Sequence, residues 1–185
     1  MVAPQYYAGQ FLLALPAIGD SRFDRAIIAL VSHDAQGAMG VGIGLSSDLS
    51  VERLLEQADI AISAPVAGQV MVGGPVEPQR GFVVHSRDWG RDGTVDVAGL
   101  FALSGALDVL RAIGAGRGPR RWQIALGYAG WGPGQLESEI ACDAWHVTPV
   151  DQHSLFDIAP DARWRAVLAR DGIDPGRIVL RGGQA

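Results

Sequence analysis

The chain has 185 residues, of which 48% are hydrophobic and 19% are charged, so it is long and apolar enough to bury the core of one domain. All 15 basic residues are arginine, the net charge is −5, and Cys142 is the single cysteine. This composition excludes a lysine Schiff base, a phosphate loop that needs lysine, and an internal disulfide.

Neither membrane insertion nor secretion is indicated by the sequence. No apolar run approaches the ~18 residues that a transmembrane helix needs, and residues 1–7 lack the basic start of a signal peptide. No repeat or long linker divides the chain. We therefore expect a cytoplasmic protein that forms a single domain over residues 1–185.

Strand signals dominate the first third of the chain. Residues 11–16 form an apolar run ended by a proline, and two further apolar runs flank the polar turn 34–37. We predict that these two runs, 26–31 and 38–43, form an antiparallel hairpin.

The second strand of this hairpin alternates glycine with apolar residues, at Gly40, Gly42 and Gly44. Because side chains alternate between the faces of a strand, one face of this strand lacks side chains. We expect another part of the protein to lie against that face.

The rest of the chain mixes helices and strands without regular alternation. Ser50 is placed to cap a helix over 51–58, whose apolar positions share one face. This order of elements predicts an α+β fold with a mostly antiparallel sheet rather than a doubly wound fold. The remaining predicted strands are 69–72, 80–86, 95–103 and 122–128, and the remaining predicted helices are 106–113, one beginning near Pro133, and 161–170.

The segment 127–137 carries four glycines, a proline and two large aromatic residues. Glycines at this density indicate positive φ angles or close backbone approach, and Tyr128 and Trp131 add apolar surface with a polar tip. A helix N-terminus attracts anions, but Glu137 and Glu139 already occupy the first turns and would repel them. We interpret the segment as a structural turn or as a shaped loop beside a cleft for a neutral or cationic group.

Several short segments match a known pattern in order: 9–16, 20–25, His33 with 37–40, 73–76, 80–85, 108–110, 125–137, 144–145, 156–157 and 163–164. This series resembles the AlgH/YqgE family of bacterial proteins over residues 9–174. The resemblance implies an α+β domain whose bent, bifurcated sheet forms a pseudo-barrel flanked by helices. It implies no established enzyme activity, and the family name carries a link to transcriptional control of an exopolysaccharide.

The two glycine-rich loops are predicted to meet at a cleft. Glycines permit close backbone approach, the aromatic rings supply apolar contact, and Arg80 and Gln135 supply directed polar groups. The alternative is that the loops only pack against each other and that Trp131 fills the core. The predicted cleft residues are Gly73, Gly74, Pro75, Arg80, His85, Tyr128, Trp131 and Gln135.

No metal or other cofactor is expected. No two of the four histidines have a metal-binding spacing, so His33 and His85 are interpreted as hydrogen-bonded residues at strand ends. A metal held by His85, Asp151 and Asp157 stays open as an alternative, since the fold can gather distant ligands. Cys142 is interpreted as a buried, unreactive residue.

Three functions are compatible with these observations. The first is a non-enzymatic cytosolic protein that acts by binding an unidentified small molecule or protein, with a regulatory effect that is indirect. The second is a hydrolase or other enzyme that uses Asp, Glu and His side chains gathered by the fold in the glycine-aromatic cleft. The third, a DNA-binding regulator, is disfavoured by the acidic net charge and by the absence of a basic recognition helix. The cluster Arg117, Arg120 and Arg121 is interpreted as a solvated turn.

Overall fold

The computed structural model describes residues 6–105 and 107–181. Within these ranges the chain forms a curled sheet with helices around it. The strands are β1 (Gln10–Ala14), β2 (Ile27–Asp34), β3 (Gly37–Gly42), β4 (Ser46–Ser50), β5 (Gln69–Val72), β6 (Val76–His85), β7 (Thr94–Val97), β8 (Phe101–Ser104), β9 (Trp122–Trp131) and β10 (Trp145–Pro149). The α-helices are α1 (Val51–Gln57), α2 (Leu107–Gly114), α3 (Gln135–Ala141), α4 (Pro160–Arg170) and α5 (Pro175–Arg181).

The sheet divides along β9. The first half of β9 pairs with β6 on one edge and, at Ala125 and Leu126, with β5 on the other edge. The second half, 129–131, pairs with β3. The main path runs β10-β1-β2-β3-β9-β6-β8-β7, with β4 attached to β5, and every pairing except β5 with β9 is antiparallel. This single α+β domain with a bifurcated half-barrel sheet confirms the predicted fold class.

The hairpin predicted from residues 26–31 and 38–43 is confirmed. β2 and β3 pair antiparallel, and the Asp34 carboxylate accepts a hydrogen bond from the Gln36 N–H (2.7 Å) across the turn. A Cβ atom added at Gly40 would lie 2.5 Å from Ile28 Cγ2, and one added at Gly42 would lie 2.6 Å from the Val72 carbonyl oxygen. Protein therefore covers the glycine face, as expected.

Two predicted strands have different bounds in the structure. The predicted strand 95–103 is wrong: it is two strands, β7 and β8, joined by a turn in which Ala98 and Gly99 both have positive φ. An alanine in this conformation is uncommon, so the turn has no clear sequence signal. The strand predicted at 122–128 continues to Trp131, because β3 pairs with residues 129–131, which the sequence predicts to be a loop.

The start of α3 also differs from the prediction. The cap of α3 is Gly134, with φ of 71°, so Pro133 precedes the helix rather than occupying its first turn. The cap predicted at Ser50 is confirmed, since the Ser50 hydroxyl accepts a hydrogen bond from the Arg53 N–H (3.2 Å).

Strands β1 and β2 are buried on both faces, which separates the core into layers. Phe11 and Leu13 face the half-barrel interior, where they pack with residues of α4 such as Trp164. Leu12 and Ile28 face the opposite side and pack beneath α3. Alternation with a period of two supplies apolar side chains to both layers from the same strands.

The buried side chain of Arg163 connects α4 to the sheet. Its Nη1 donates to the carbonyl oxygen of Ile43 (2.7 Å) and to Gln123 Oε1 (2.6 Å), and its Nε donates to the carbonyl oxygen of Ile158 (2.9 Å). The residue is only 3% exposed, and this burial lowers its pKa to about 10. A charged group thus fixes the helix against the end of β3, next to the point where the sheet divides.

None of the described helices is both long enough and apolar enough to cross a membrane.

Candidate functional site

The glycine-rich segments meet at the junction where the sheet divides. A Cβ atom at Gly73 would lie 2.1 Å from the Gly127 carbonyl oxygen, and one at Gly74 would lie 2.2 Å from the Tyr128 carbonyl carbon. The Gly42 N–H donates to the Gly73 carbonyl oxygen (2.7 Å). These backbones approach too closely for any side chain, so the glycines are required by the junction itself.

A cleft of about 490 Å³ lies beside this junction, between the segment 17–23, the end of β9 and helix α3. We call it the Glu139 cleft. It is bounded on one side by two 3₁₀ turns, Pro16–Ile18 and Ser21–Phe23. Its lining residues are Ala17, Ile18, Asp20, Arg22, Phe23, Pro75, Ala129, Gly130, Trp131, Gln135, Ser138, Glu139, Cys142 and Ala144.

The Glu139 carboxylate is held in this cleft by three hydrogen bonds. Its Oε2 accepts hydrogen bonds from the indole N–H groups of Trp131 (2.9 Å) and Trp145 (2.8 Å). Its Oε1 accepts one from the Gln135 amide (2.9 Å), and Gln135 Oε1 in turn accepts from the Gly132 N–H. Three neutral donors therefore hold one carboxylate in a fixed orientation at the cleft wall.

The two tryptophans belong mainly to the core. Trp131 is 7% exposed, and its ring lies edge-on to the ring of Trp145 at 5.9 Å. Only a small part of Trp131 reaches the cleft. The interpretation of Cys142 as a buried residue is wrong: the thiol is exposed and lies among the residues that line this cleft, just beyond the end of α3.

A second cavity of about 500 Å³ occupies the fork between the ends of β3 and β5, and we call it the fork cleft. Its walls are mostly apolar or backbone, and Leu45 and Val72 are 61% and 43% exposed there. The two clefts are adjacent, because both are lined by Arg22, Phe23 and Pro75. The remaining lining residues of the fork cleft are Asp24, Arg25, Ala26, Ile27, Ile28, Gly42, Gly44, Gly73, Gly74 and Asp161.

The eight predicted cleft residues do not share one cavity: five of them line two adjacent clefts, and three line neither of these clefts. Gly73, Gly74 and Pro75 line the fork cleft, and Pro75, Trp131 and Gln135 line the Glu139 cleft.

The other three predicted residues line neither of these clefts. Arg80 is exposed, pairs with Glu77 and lies over the ring of Phe82. The ring of Tyr128 packs edge-on against the same phenylalanine. Side chains alternate along the paired strands β6 and β9, so residues near the junction in sequence point to different faces.

His85 lies at the far end of β6 and is completely buried. Its Nε2 lies 2.9 Å from Ser104 Oγ, and its Nδ1 lies 2.8 Å from the Ser86 carbonyl oxygen. Burial lowers the pKa of this imidazole below its usual range, outweighing the hydrogen bond to Ser86. His85 is therefore a neutral imidazole at neutral pH.

No metal site is found in the described part of the chain, where no three His, Cys, Asp or Glu side chains are grouped to hold an ion. The two aspartates considered from the sequence as metal ligands form ion pairs with arginines. Asp151 pairs with Arg170, and Asp157 pairs with Arg121 at 3.4 Å.

Sequence reasoning missed the central role of Glu139 and of the segment 16–25. The sequence indicates only a helix-dipole role for Glu139, because the indoles that bind it lie eight residues before it and six residues after it and form no local motif. The polar segment containing Asp20, Arg22 and Phe23 held one visible signal, an aromatic residue isolated among charges. Its ring packs edge-on against Trp145 at 5.6 Å, which explains that signal.

The chain resembles known proteins over nearly its whole length. A family model described as AlgH-like matches residues 11–176. A UPF0301 protein of Sphingopyxis alaskensis is 52% identical over 99% of this chain and 98% of its own length. One of Novosphingobium aromaticivorans is 46% identical over the full length of both.

Solved structures show the same relationship. The solution structure of the AlgH protein from Pseudomonas aeruginosa superposes with a TM-score of 0.79 at 39% identity, covering 100% of this chain and 97% of that one. A crystal structure of a Corynebacterium diphtheriae protein shares the fold, with a TM-score of 0.73 at 22% identity, covering 100% of this chain and 95% of its own. The family resemblance seen in the sequence motifs is confirmed, and the chain belongs to the AlgH-like family of UPF0301 proteins.

Proposed function

We propose that the protein acts by binding a small molecule, or a side chain of a partner protein, in the Glu139 cleft. The observation that carries this proposal is the fixed carboxylate of Glu139 at the wall of a 490 Å³ cavity. An ionised carboxylate has about four acceptor positions, and three are used by Trp131, Trp145 and Gln135. One position on Oε1 is left for a donor from a ligand.

The charge of the cleft favours a cationic or neutral donor over an anion. The donors that hold Glu139 are all neutral, so they do not cancel its charge. The other two charges at this wall, Asp20 and Arg22, pair with each other at 2.6 Å and cancel. A bound anion would meet uncompensated negative charge, whereas an ammonium or hydroxyl group would gain a charge-assisted hydrogen bond.

The fork cleft supports a ligand that also has an apolar part. The two clefts share Phe23 and Pro75, and the exposed side chains of Leu45 and Val72 line the fork cleft. A ligand with an apolar group and a donor group would use both clefts, which is the usual composition of a small-molecule site.

We expect benzylamine, as its ammonium ion, to shift the indole N–H resonances of Trp131 and Trp145 in NMR titrations, because both donate to the carboxylate that it would bind. Glu139→Gln should weaken the binding about tenfold, the equivalent of ~1.4 kcal/mol. The matched control is Glu56→Gln, an exposed glutamate on α1 that should leave the titration unchanged. Equal binding of benzoate, or unchanged binding of benzylamine by the Glu139 variant, would contradict the proposal.

The cytoplasm is the proposed place of action, and we propose that any regulatory effect is indirect, through a ligand or partner. The arginines near Arg121 do not form a free basic surface, since Arg121 pairs with Asp157 and Arg120 with Asp88 at 3.7 Å. With a net charge of −5, little energy is available from neutralising phosphates.

Duplex DNA should therefore bind weakly, with a dissociation constant near ~10⁻⁴ M at physiological salt. Fluorescence anisotropy of a labelled duplex, titrated with the pure protein at several salt concentrations, measures this. Nanomolar, sequence-selective binding would instead support a direct transcriptional regulator.

A further inference from the structure

A separate cavity, of about 410 Å³, lies over the edge strand β7 and its neighbour β8 and shares no lining residue with the two clefts. Trp89, Arg91 and Thr94 are among the residues that line it. Thr94 is half-buried, and its hydroxyl begins a chain of hydrogen bonds that leads inward to His85.

The direction of every hydrogen bond in this chain follows from its inner end. A carbonyl oxygen can only accept, so His85 Nδ1–H donates to the Ser86 carbonyl (2.8 Å). In the neutral imidazole Nε2 then carries no proton and accepts from the Ser104 hydroxyl (2.9 Å). With its proton used, Ser104 Oγ accepts from the Thr94 hydroxyl (2.9 Å). The Arg91 N–H donates to Thr94 Oγ1 (3.2 Å), which completes the chain.

The two inner members of the chain are shielded from water. Ser104 is 2% exposed and His85 is fully buried, with the ring of Trp89 edge-on to the imidazole at 5.6 Å. A hydrogen-bonded chain in such an environment is strengthened by the low local dielectric. Of the three side chains in the chain, only that of the outer residue, Thr94, belongs to a residue that lines the cavity.

We propose that Thr94 is a nucleophile for acyl transfer, with Ser104 as a bridging hydroxyl and His85 as the base that receives the proton. A weak hydroxyl nucleophile needs an adjacent base, and a second hydroxyl can transmit the proton where the base is not in direct contact. This activity is separate from the ligand binding proposed for the Glu139 cleft.

The reaction balances without a redox partner. Thr94 Oγ forms a bond to the acyl carbon while its proton passes to Ser104 Oγ and the Ser104 proton passes to His85 Nε2. The bond from the acyl carbon to the leaving oxygen breaks as the proton returns from His85 Nε2 through Ser104 Oγ to that oxygen, and the leaving group departs as an alcohol or phenol. Water then attacks the acyl-threonine, its proton follows the same path, and the carboxylic acid and free Thr94 are released.

The cavity indicates the class of acyl group. Arg91 lines the cavity, and its guanidinium has no ion-pair partner within residues 6–105 and 107–181, whereas Arg87 is paired with Asp96 at 2.6 Å. The Trp89 ring adds an apolar surface. The preferred substrate is therefore a small ester whose acyl group carries a carboxylate.

The test uses p-nitrophenyl acetate, with peptide mapping by tandem mass spectrometry to locate the acetyl group. We expect acetylation of Thr94 to be about 10²-fold faster than that of Ser138, the scale of general-base catalysis. Ser138 is an exposed internal control, because its hydroxyl donates only to the Gly134 carbonyl. Peptide mapping also distinguishes acetylation of Thr94 from any acetylation of the Cys142 thiol.

Three variants distinguish a relay from an accidentally reactive hydroxyl. Thr94→Val should abolish this acetylation, Ser104→Ala should reduce it to the Ser138 rate, and Ser104→Thr should restore it. Circular dichroism and thermal melts establish that each variant is folded, and Thr94→Val replaces a half-buried residue with one of similar shape.

The pH dependence tests the role of His85. Because burial lowers the pKa of His85, the Thr94 rate should stay level down to about pH 6.5, the ordinary histidine value, and fall only below it. The Ser138 rate should instead rise with hydroxide throughout. Acetylation of Thr94 no faster than that of Ser138, or undiminished in Ser104→Ala, would overturn the proposal.

The anionic preference is tested with the mono-p-nitrophenyl ester of succinic acid. It should acylate Thr94 faster than the acetate does, and Arg91→Gln should remove the difference. Equal rates in the unsubstituted protein would overturn the assigned substrate class.

Discussion

Replacing Trp131 by alanine should lower the free energy of unfolding by about 3–5 kcal/mol, measured by urea denaturation. Trp131 is 7% exposed and packs against Leu12, Leu136 and Trp145 beneath α3, so its removal leaves a cavity that the neighbouring strands cannot fill. Its indole N–H also holds Glu139, and that hydrogen bond is lost with the ring.

Trp131→Phe separates these two contributions. Phenylalanine keeps most of the ring volume but cannot donate to Glu139, and a hydrogen bond to a charged group contributes about 1.5–3 kcal/mol. The phenylalanine variant should therefore lose less stability than the alanine variant. A loss of about 3–5 kcal/mol in the free energy of unfolding of Trp131→Ala supports Trp131 as a core residue whose edge borders the cleft. A loss under about 1 kcal/mol for Trp131→Ala would contradict the buried packing and support a freely exposed cleft wall.

Replacing Arg163 by methionine should lower the free energy of unfolding by about 2–4 kcal/mol. The carbonyl groups of Ile43 and Ile158 and the amide oxygen of Gln123 would lose their donor, and each unsatisfied buried acceptor costs about 1–3 kcal/mol. Part of this loss of stability is offset, because the substitution also removes the cost of burying the Arg163 charge. Burial lowers the pKa of Arg163 to about 10, which reflects the cost of taking its charge out of water.

The matched control for this substitution lies two residues along the same helix. Arg165 is exposed, so Arg165→Met should change the urea midpoint little. Equal stability of the Arg163 and Arg165 variants would show that the apolar side chain replaces the buried guanidinium without loss. In that case the attachment of α4 to the end of β3 would depend on the packing of Trp164, Val167 and Leu168 alone.

Trp131 and Arg163 support opposite faces of the junction where the sheet divides. Trp131 lies beneath α3, beside the Glu139 cleft, and Arg163 reaches the carbonyl of Ile43 where the fork cleft begins. A stable junction is needed for both clefts, because the segment 16–25 forms their shared wall only when β3, β5 and β9 are held together. Stability and ligand binding should therefore be measured on the same variants.

The sequence by itself determined the features that depend on neighbouring residues. The β2–β3 hairpin followed from two apolar runs and a polar turn, the α1 cap followed from Ser50, and irregular alternation of elements indicated an antiparallel α+β fold. The motif series identified the family. Local periodicity and capping act over a few residues, so a single sequence carries these signals directly.

The tertiary structure decided how the glycine-rich segments are used. Their density predicted close approach, but the distance of 2.1 Å from a Cβ at Gly73 to the Gly127 oxygen shows that the approach is between two backbones. The same pairing carried β9 through to Trp131, where the sequence predicted a loop. Neither result has a local signal, because the partner strands lie far away along the chain.

The candidate sites depended on the fold even more strongly. Trp131, Trp145 and Gln135 meet at Glu139 because α3 folds back over β9 and β10, and Thr94 meets Ser104 because a turn at two residues of positive φ reverses the chain. His85 lies apart from Trp131 because β6 carries it to the other end of the sheet. Residue types and spacing supplied the groups, whereas strand pairing and helix packing over long sequence separations decided which of them meet.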